Sequence, residues 1–144
     1  MRVILARVVT AAVSVRKEAM GQIESGYLLL VGFTHSDTEE NTSKMAEKIA
    51  NLRIMDDEGG KMNKTILETG GKVLAVPQFT LYADTSGRRP GFMDAARPEQ
   101  ASPLFDTFVS QLNTLQLDVK TGKFGEYMIV ESQNDGPLTL FLEN

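Results

Sequence analysis

Val73-Leu74-Ala75-Val76-Pro77-Gln78-Phe79-Thr80-Leu81-Tyr82-Ala83-Asp84 is the stretch whose reading decides the fold. Its first half is a continuous apolar run of the kind found in a buried strand, and Gln78, Thr80 and Asp84 then turn it polar within a few positions. The pattern predicts a core strand that emerges at a site. Pro77 has no backbone donor and restricts the residue before it, so regular pairing breaks there and nearby amides are left free. Free amides beside a hydroxyl suit an oxyanion; the plainer alternative is a strand running into a polar loop.

Upstream, residues 2–15 are rich in Val, Ile and Ala and read as a strand, with Val3, Leu5, Val9, Val13 and Val15 on one side. Arg7 falls on that side too. A guanidinium among apolar positions requires definite hydrogen-bond partners; the alternative is that Ile4, Ala6 and Val8 form the better-buried face and Arg7 is solvated. Residues 16–19 read as a hairpin connection to a short strand near Gly21–Ile23, and 27–34 as a central strand. Ser36 and Asp37 are candidate N-caps, with Glu39 and Glu40 in capping-box position. The helix that follows buries Met45, Ile49 and Leu52 at i, i+4 and i+7. Residues 56–63 are turn-rich, and their acidic start lacks the alternating ligands of a calcium loop.

Downstream, 85–91 is a basic loop whose adjacent Arg88 and Arg89 can grip a phosphate or simply be solvated. Ser102-Pro103 reads as a helix start, with Phe105, Phe108, Val109 and Leu112 as its apolar face. Residues 121–125 form a turn before a strand at 126–132; Asn134-Asp135-Gly136-Pro137 reads as a tight turn, and 138–142 as the last strand. Phe124 and Met128 can pack on a base, although both types are commonly core. The order of two strands, two strand-helix units and two or three further strands predicts one mixed α/β domain over 1–144, with barrel-like sheets and two helices packed on one side.

Composition narrows the chemistry. The chain has 144 residues, 42% of them hydrophobic and 24% charged, which are ordinary globular values for one domain. No stretch approaches a membrane span, and the strand-like pattern begins without a signal segment, so the expected location is cytoplasmic. The absence of cysteine excludes disulfides and thiolate nucleophiles. A lone histidine, His35, argues against a His-based triad or a metal cluster, and it reads as a loop residue. No metal or other cofactor is expected. The net charge of −4 argues against broad nucleic-acid binding, although Arg88, Arg89, Lys120 and Lys123 can supply a local basic patch.

Pro77-Gln78-Phe79-Thr80-Leu81 and Asn134-Asp135-Gly136-Pro137-Leu138-Thr139 together resemble the two signature motifs of the D-aminoacyl-tRNA deacylases. The likeness extends to Arg7-Val8, residues 59–63, Tyr82-Ala83-Asp84, residues 87–90 and Thr121-Gly122-Lys123-Phe124-Gly125. It implies a homodimer with a cross-subunit site that hydrolyses the ester between a D-amino acid and the 3′-terminal adenosine of tRNA. Chirality is then enforced sterically: a Gly136-Pro137 turn with a cis bond, donated by the partner subunit, occupies the place of an L side chain and admits glycine. Arg7 helps to hold that turn. Backbone amides around Phe79 and Thr80, next to Gln78, are the expected oxyanion donors. The ribose 2′-hydroxyl is the favoured assistant, with Thr80 as nucleophile the alternative. Phe124 and Met128 are assigned to the adenosine pocket, and Arg88 and Arg89 to the RNA backbone.

One position departs from the motif. Serine is usual where this chain has Pro77, and proline there resembles a related branch that acts on L-alanine mischarged to tRNA with the Gly-Pro bond in trans. Phe79 and Arg7 match the D-specific group, so D-specificity is the expectation. A non-catalytic nucleic-acid-binding dimer is the reading from a different class.

Overall fold

The computed structural model describes residues 1–144. Strands β1 (Arg2–Val15) and β2 (Glu18–Ile23) form a hairpin, followed by β3 (Gly26–Gly32) and helix α1 (Glu39–Asn51). A small hairpin of β4 (Met55–Asp56) and β5 (Met62–Lys64) leads to one helical turn, α2 (Ile66–Thr69), and then to β6 (Lys72–Pro77). Helix α3 (Pro98–Thr114), β7 (Val119–Thr121) and β8 (Met128–Glu143) complete the chain.

The main sheet has the order β2-β1-β3-β6-β7, and β8 lies along the other edge of β1. β3, β6 and β7 are mutually parallel and the β1 pairings are antiparallel. β1 serves β3 with its first half and β2 with its second, so the sheet curls and brings β2 across β6 and β7. The result is the expected barrel-like α/β fold.

Two cores follow from the curl. One lies between sheet and helices, where Val3, Leu5, Tyr27, Leu29 and Val31 meet Met45, Ile49, Phe105, Phe108 and Leu112. The other fills the inside of the curl with Ala6, Val8, Ala11, Val13, Ile23, Leu28, Leu74 and Val76. The apolar run 73–76 is therefore buried on both faces, which is why it shows no alternation.

Several local expectations are corrected. The proposed single face of β1 breaks at Val9: Val3 and Leu5 face the helices, Val9 is exposed, and Val13 belongs to the inner core. The register with β8 shifts between Val8 and Thr10, and this bulge reverses the phase of the strand. Helix α1 is capped by Thr38, whose amide and hydroxyl both donate to Asn41 Oδ1. Asp37 is instead buried, accepting from the Met1 amino group at 2.6 Å and the Thr34 amide at 2.8 Å. Helix α3 starts at Pro98, not at Ser102, and accommodates Pro103 inside it. Finally, residues 134–137 are no reversal. β8 runs unbroken, with a bulge where Arg7 alone on β1 faces residues 135–138, between the pairs Ala6–Thr139 and Val8–Asn134.

Candidate active site

β3 and β6 end side by side, with Val31 opposite Pro77, and the Gln78 amide bonds the Val31 carbonyl at 2.7 Å. The missing proline donor stops the ladder there, and the chain tightens into a 3-10 turn, Phe79–Tyr82. The first bond of that turn is Leu81 N to Gln78 O, at 3.3 Å. The Phe79 and Thr80 amides precede it, so they find no acceptor within the turn. Gly32 makes the seat for it: a Cβ there would lie 2.8 Å from Gln78 O and 3.0 Å from Leu81 Cβ.

Beside the turn, beyond the carboxyl ends of the parallel strands, opens a cleft of about 600 Å³. That is the usual location for a site in an open parallel sheet and a usual size for a drug-sized ligand. Its floor is apolar, with Val31, Phe33 and Val76, and Gly32, Pro77, Gln78 and Phe79 form one wall. Phe124 and Met128 line it as well, so Pro77, Gln78, Phe79, Phe124 and Met128 converge. Phe79 is half exposed, and Phe92 meets it edge-on with ring centroids 5.0 Å apart.

Thr80 is exposed beside the cleft and is not among its lining residues; its Oγ1 accepts from Gln78 Nε2. No base approaches it. His35 Nε2 donates to the Met93 carbonyl at 2.8 Å, and so ties the β3–α1 loop to the segment bearing Phe92. Arg88 and Arg89 lie in the exposed loop closed by paired Asp84–Gly91 backbone bonds of 2.8 and 2.9 Å, outside the cleft. In that loop the Ser86 amide and hydroxyl hold the Asp84 carboxylate below its ordinary pKa.

Arg7 is buried, which decides between the two readings of β1. Its Nη1 donates to the Ile54 carbonyl at 2.9 Å and to Asp56 Oδ1 at 3.0 Å, while Asp135 Oδ2 lies 3.0 Å from Nε, off the N–H axis. Two carboxylates and a carbonyl thus compensate the buried guanidinium. Gly136, with φ of 110°, sits against Arg7: a Cβ there would be 3.4 Å from Nη2. The Gly136–Pro137 bond is cis. These two residues do not line this chain's own cleft; they stand six and seven positions along β8 from Val130, which does.

The sequence reading missed Phe92, Arg97 and Tyr127 at the rim of the cleft and Gly32 beneath the turn. None belongs to a motif, and only the packing of β3 against the turn reveals why Gly32 matters.

Residues 4–143 match the family model described as D-Tyr-tRNA(Tyr) deacylase. The chain belongs to this family. The D-aminoacyl-tRNA deacylase of Halalkalibacterium halodurans is 52% identical over 145 residues, spanning 100% of this chain and 99% of that protein. The Brevibacillus brevis D-aminoacyl-tRNA deacylase is 54% identical, with 100% of both chains covered. Among solved structures, one described as a c-Myc DNA unwinding element binding protein superposes with a TM-score of 0.94 at 38% identity, covering 100% of this chain and 99% of that one. A probable eukaryotic D-amino acid tRNA deacylase shares the fold, with a TM-score of 0.85 at 16% identity over 98% and 97% of the two chains. The chain is accordingly an ester hydrolase acting on D-aminoacyl-tRNA. No helix is long and apolar enough to cross a membrane.

Proposed function

We propose that the cleft beside Phe79 holds the terminal adenosine and the ester, and that the Phe79 and Thr80 amides stabilise the oxyanion formed when water attacks. The observation that carries this is the pair of turn amides without acceptors in the turn, opening beside a cleft of suitable size. Phe124 and Met128 pack on the adenine, and Gln78 orients the Thr80 hydroxyl. No imidazole or thiol is available to activate water, so the vicinal 2′-hydroxyl of the ribose assists, and the protein contributes positioning and oriented dipoles. No metal or other cofactor enters this scheme. Arg88 and Arg89 meet the RNA backbone as point charges beyond the cleft.

Selection of the D-hand is assigned to Gly136 and Pro137 of a second copy, which also leaves room for glycine. Their distance along β8 from the cleft of their own chain supports action in trans. β8 is paired only along the side facing β1, and Val9, Ile129 and Phe141 expose apolar side chains on these two strands. An open edge of this length calls for a partner, and a second copy is the one that completes the cleft. Arg7, through Asp135, sets the projection of the bulge.

The test is the hydrolysis of one tRNA charged with D-tyrosine and, separately, with L-tyrosine. Rapid loss of only the D-ester is expected. Pro77, in place of the usual serine, gives one specific reason to include L-alanyl-tRNA; cleavage of that ester with D-tyrosyl-tRNA left intact would overturn the D-specific reading. Binding of uncharged RNA without turnover of any ester would favour a binding module.

A further inference from the structure

The rim of the cleft holds two side chains for which the terminal aminoacyl-adenosine provides no obvious use. Arg97 is the one basic residue among those lining the cleft. It is exposed and makes no ion pair or side-chain hydrogen bond within the chain. Arg2 and Arg7, in contrast, are anchored, Arg2 to Glu143 and Arg7 to Asp56 and Asp135. Tyr127 lies on the same rim, 85% exposed, on the turn that also presents Phe124. An aromatic residue this open at a cleft mouth has a free face for stacking. The nearby cleft carboxylate, Glu126, is already engaged by Lys123 at 3.6 Å and Arg16 at 3.8 Å, so it leaves Arg97 to an outside anion.

A free guanidinium next to an exposed ring is the combination that single-stranded nucleic acid selects, one group for the phosphodiester and one for the base. We infer that Arg97 and Tyr127 form a subsite for the nucleotide immediately 5′ of the terminal adenosine: Arg97 binds the phosphodiester joining the two nucleosides, and Tyr127 stacks on the penultimate base. The inference rests on the deacylase reading of the cleft, since it assumes that the terminal nucleoside lies inside. It makes the grip on substrate extend past the ester-bearing nucleoside, through groups that stacking and charge make tolerant of sequence.

Binding of two unreactive amide-linked analogues tests it: 3′-(D-tyrosylamino)adenosine, and the same group carried on the dinucleotide CpA. Wild type should bind the dinucleotide analogue roughly five- to a hundredfold more tightly than the nucleoside analogue. Arg97→Ala and Tyr127→Ala should each remove most of that gain, and Arg97→Lys should restore part of it. Arg97→Ala should also reduce the salt dependence of dinucleotide binding by about one phosphate contact. Equal affinity of wild type for the two analogues overturns the subsite, as does an equal loss for both analogues in the variants. A wild type that binds neither analogue sinks the deacylase reading of the cleft and the subsite with it. The variants' melting temperatures, expected to match wild type because both side chains are exposed, separate lost contacts from lost folding.

Discussion

The Arg2 guanidinium stacks on the ring of Tyr82, with its central carbon 4.3 Å from the ring centroid. From that position Nη1 donates to the Leu81 carbonyl at 2.9 Å and Nε to Glu143 Oε1 at 2.6 Å. One side chain thereby joins the first residue of β1, the last of β8 and the far end of the Phe79–Tyr82 turn. Burial, with Asp37 adding to it and Arg2 opposing, pushes the Tyr82 hydroxyl up to about 12, so it remains neutral wherever the enzyme works. Removing the clamp should loosen the turn that presents the Phe79 and Thr80 amides. Arg2→Ala is expected to lower the stability of the fold. It should lower kcat roughly tenfold with little change in KM, because misplaced amides weaken transition-state contacts more than ground-state binding. Urea denaturation and steady-state kinetics check the two effects.

Gly32→Ala tests the seat of the same turn from below. The added methyl would stand 2.8 Å from the Gln78 carbonyl, and backbone has to move to admit it. We expect a loss of about 1–3 kcal/mol and a fall in kcat. A variant with wild-type kcat would show that the position of the turn is not what limits the reaction.

Thr80→Ala separates backbone catalysis from covalent catalysis. The turn amides survive the substitution, so the D-tyrosyl ester should still be hydrolysed within roughly fivefold of the wild-type rate. A drop of more than roughly a thousandfold would identify Thr80 as the nucleophile.

Arg7→Ala should both destabilise the protein and blur its stereochemical choice. It strips a buried cation from Asp56 and Asp135, which are themselves half exposed, for a cost of about 1–3 kcal/mol. With Asp135 released, the 135–138 bulge loses its anchor, and the ratio of D- to L-tyrosyl-tRNA hydrolysis should fall. An unchanged ratio in a folded variant would remove Arg7 from chiral selection.

The 57–63 turn predicts an acid response. The Asn63 side chain, then the Lys61 and Gly59 amides, hold the Asp57 carboxylate below its ordinary pKa. A depressed folded-state pKa contributes stability that is full above the unfolded value of about 3.9 and is lost as pH falls through the lower folded one. Asp57→Asn should therefore melt lower than wild type at pH 7, and the difference should shrink as the pH drops below about 4. Melting curves between pH 7 and 3 measure it.

Apolar periodicity was enough to find the two long helices, because Met45, Ile49, Phe105, Phe108 and Leu112 follow one helix face each. Unbroken runs such as 73–76 marked the strands buried on both sides. Helix starts were less legible. Ser36-Asp37 and Ser102-Pro103 are good caps chemically, yet Asp37 is claimed by the Met1 amino group and Pro103 is tolerated within a helix already begun at Pro98. In both places a tertiary contact or a neighbouring start outcompeted the local preference.

By itself the sequence determined a mixed α/β chain, the apolar β6 run ending at Pro77, and the motifs that relate it to its family. Local chemistry suffices for these, since periodicity, a missing proline donor and residue spacing are properties of neighbours along the chain. Only the tertiary structure decided which motif residues meet. The shift in the β1–β8 register between Ala6 and Val8, across Arg7, turns the segment at 135–138 into a bulge anchored by a buried guanidinium, and the curl of the sheet brings Phe124 and Met128 to Phe79. Contacts of that kind depend on strand register and sheet curvature, which are set by packing between elements far apart in the chain.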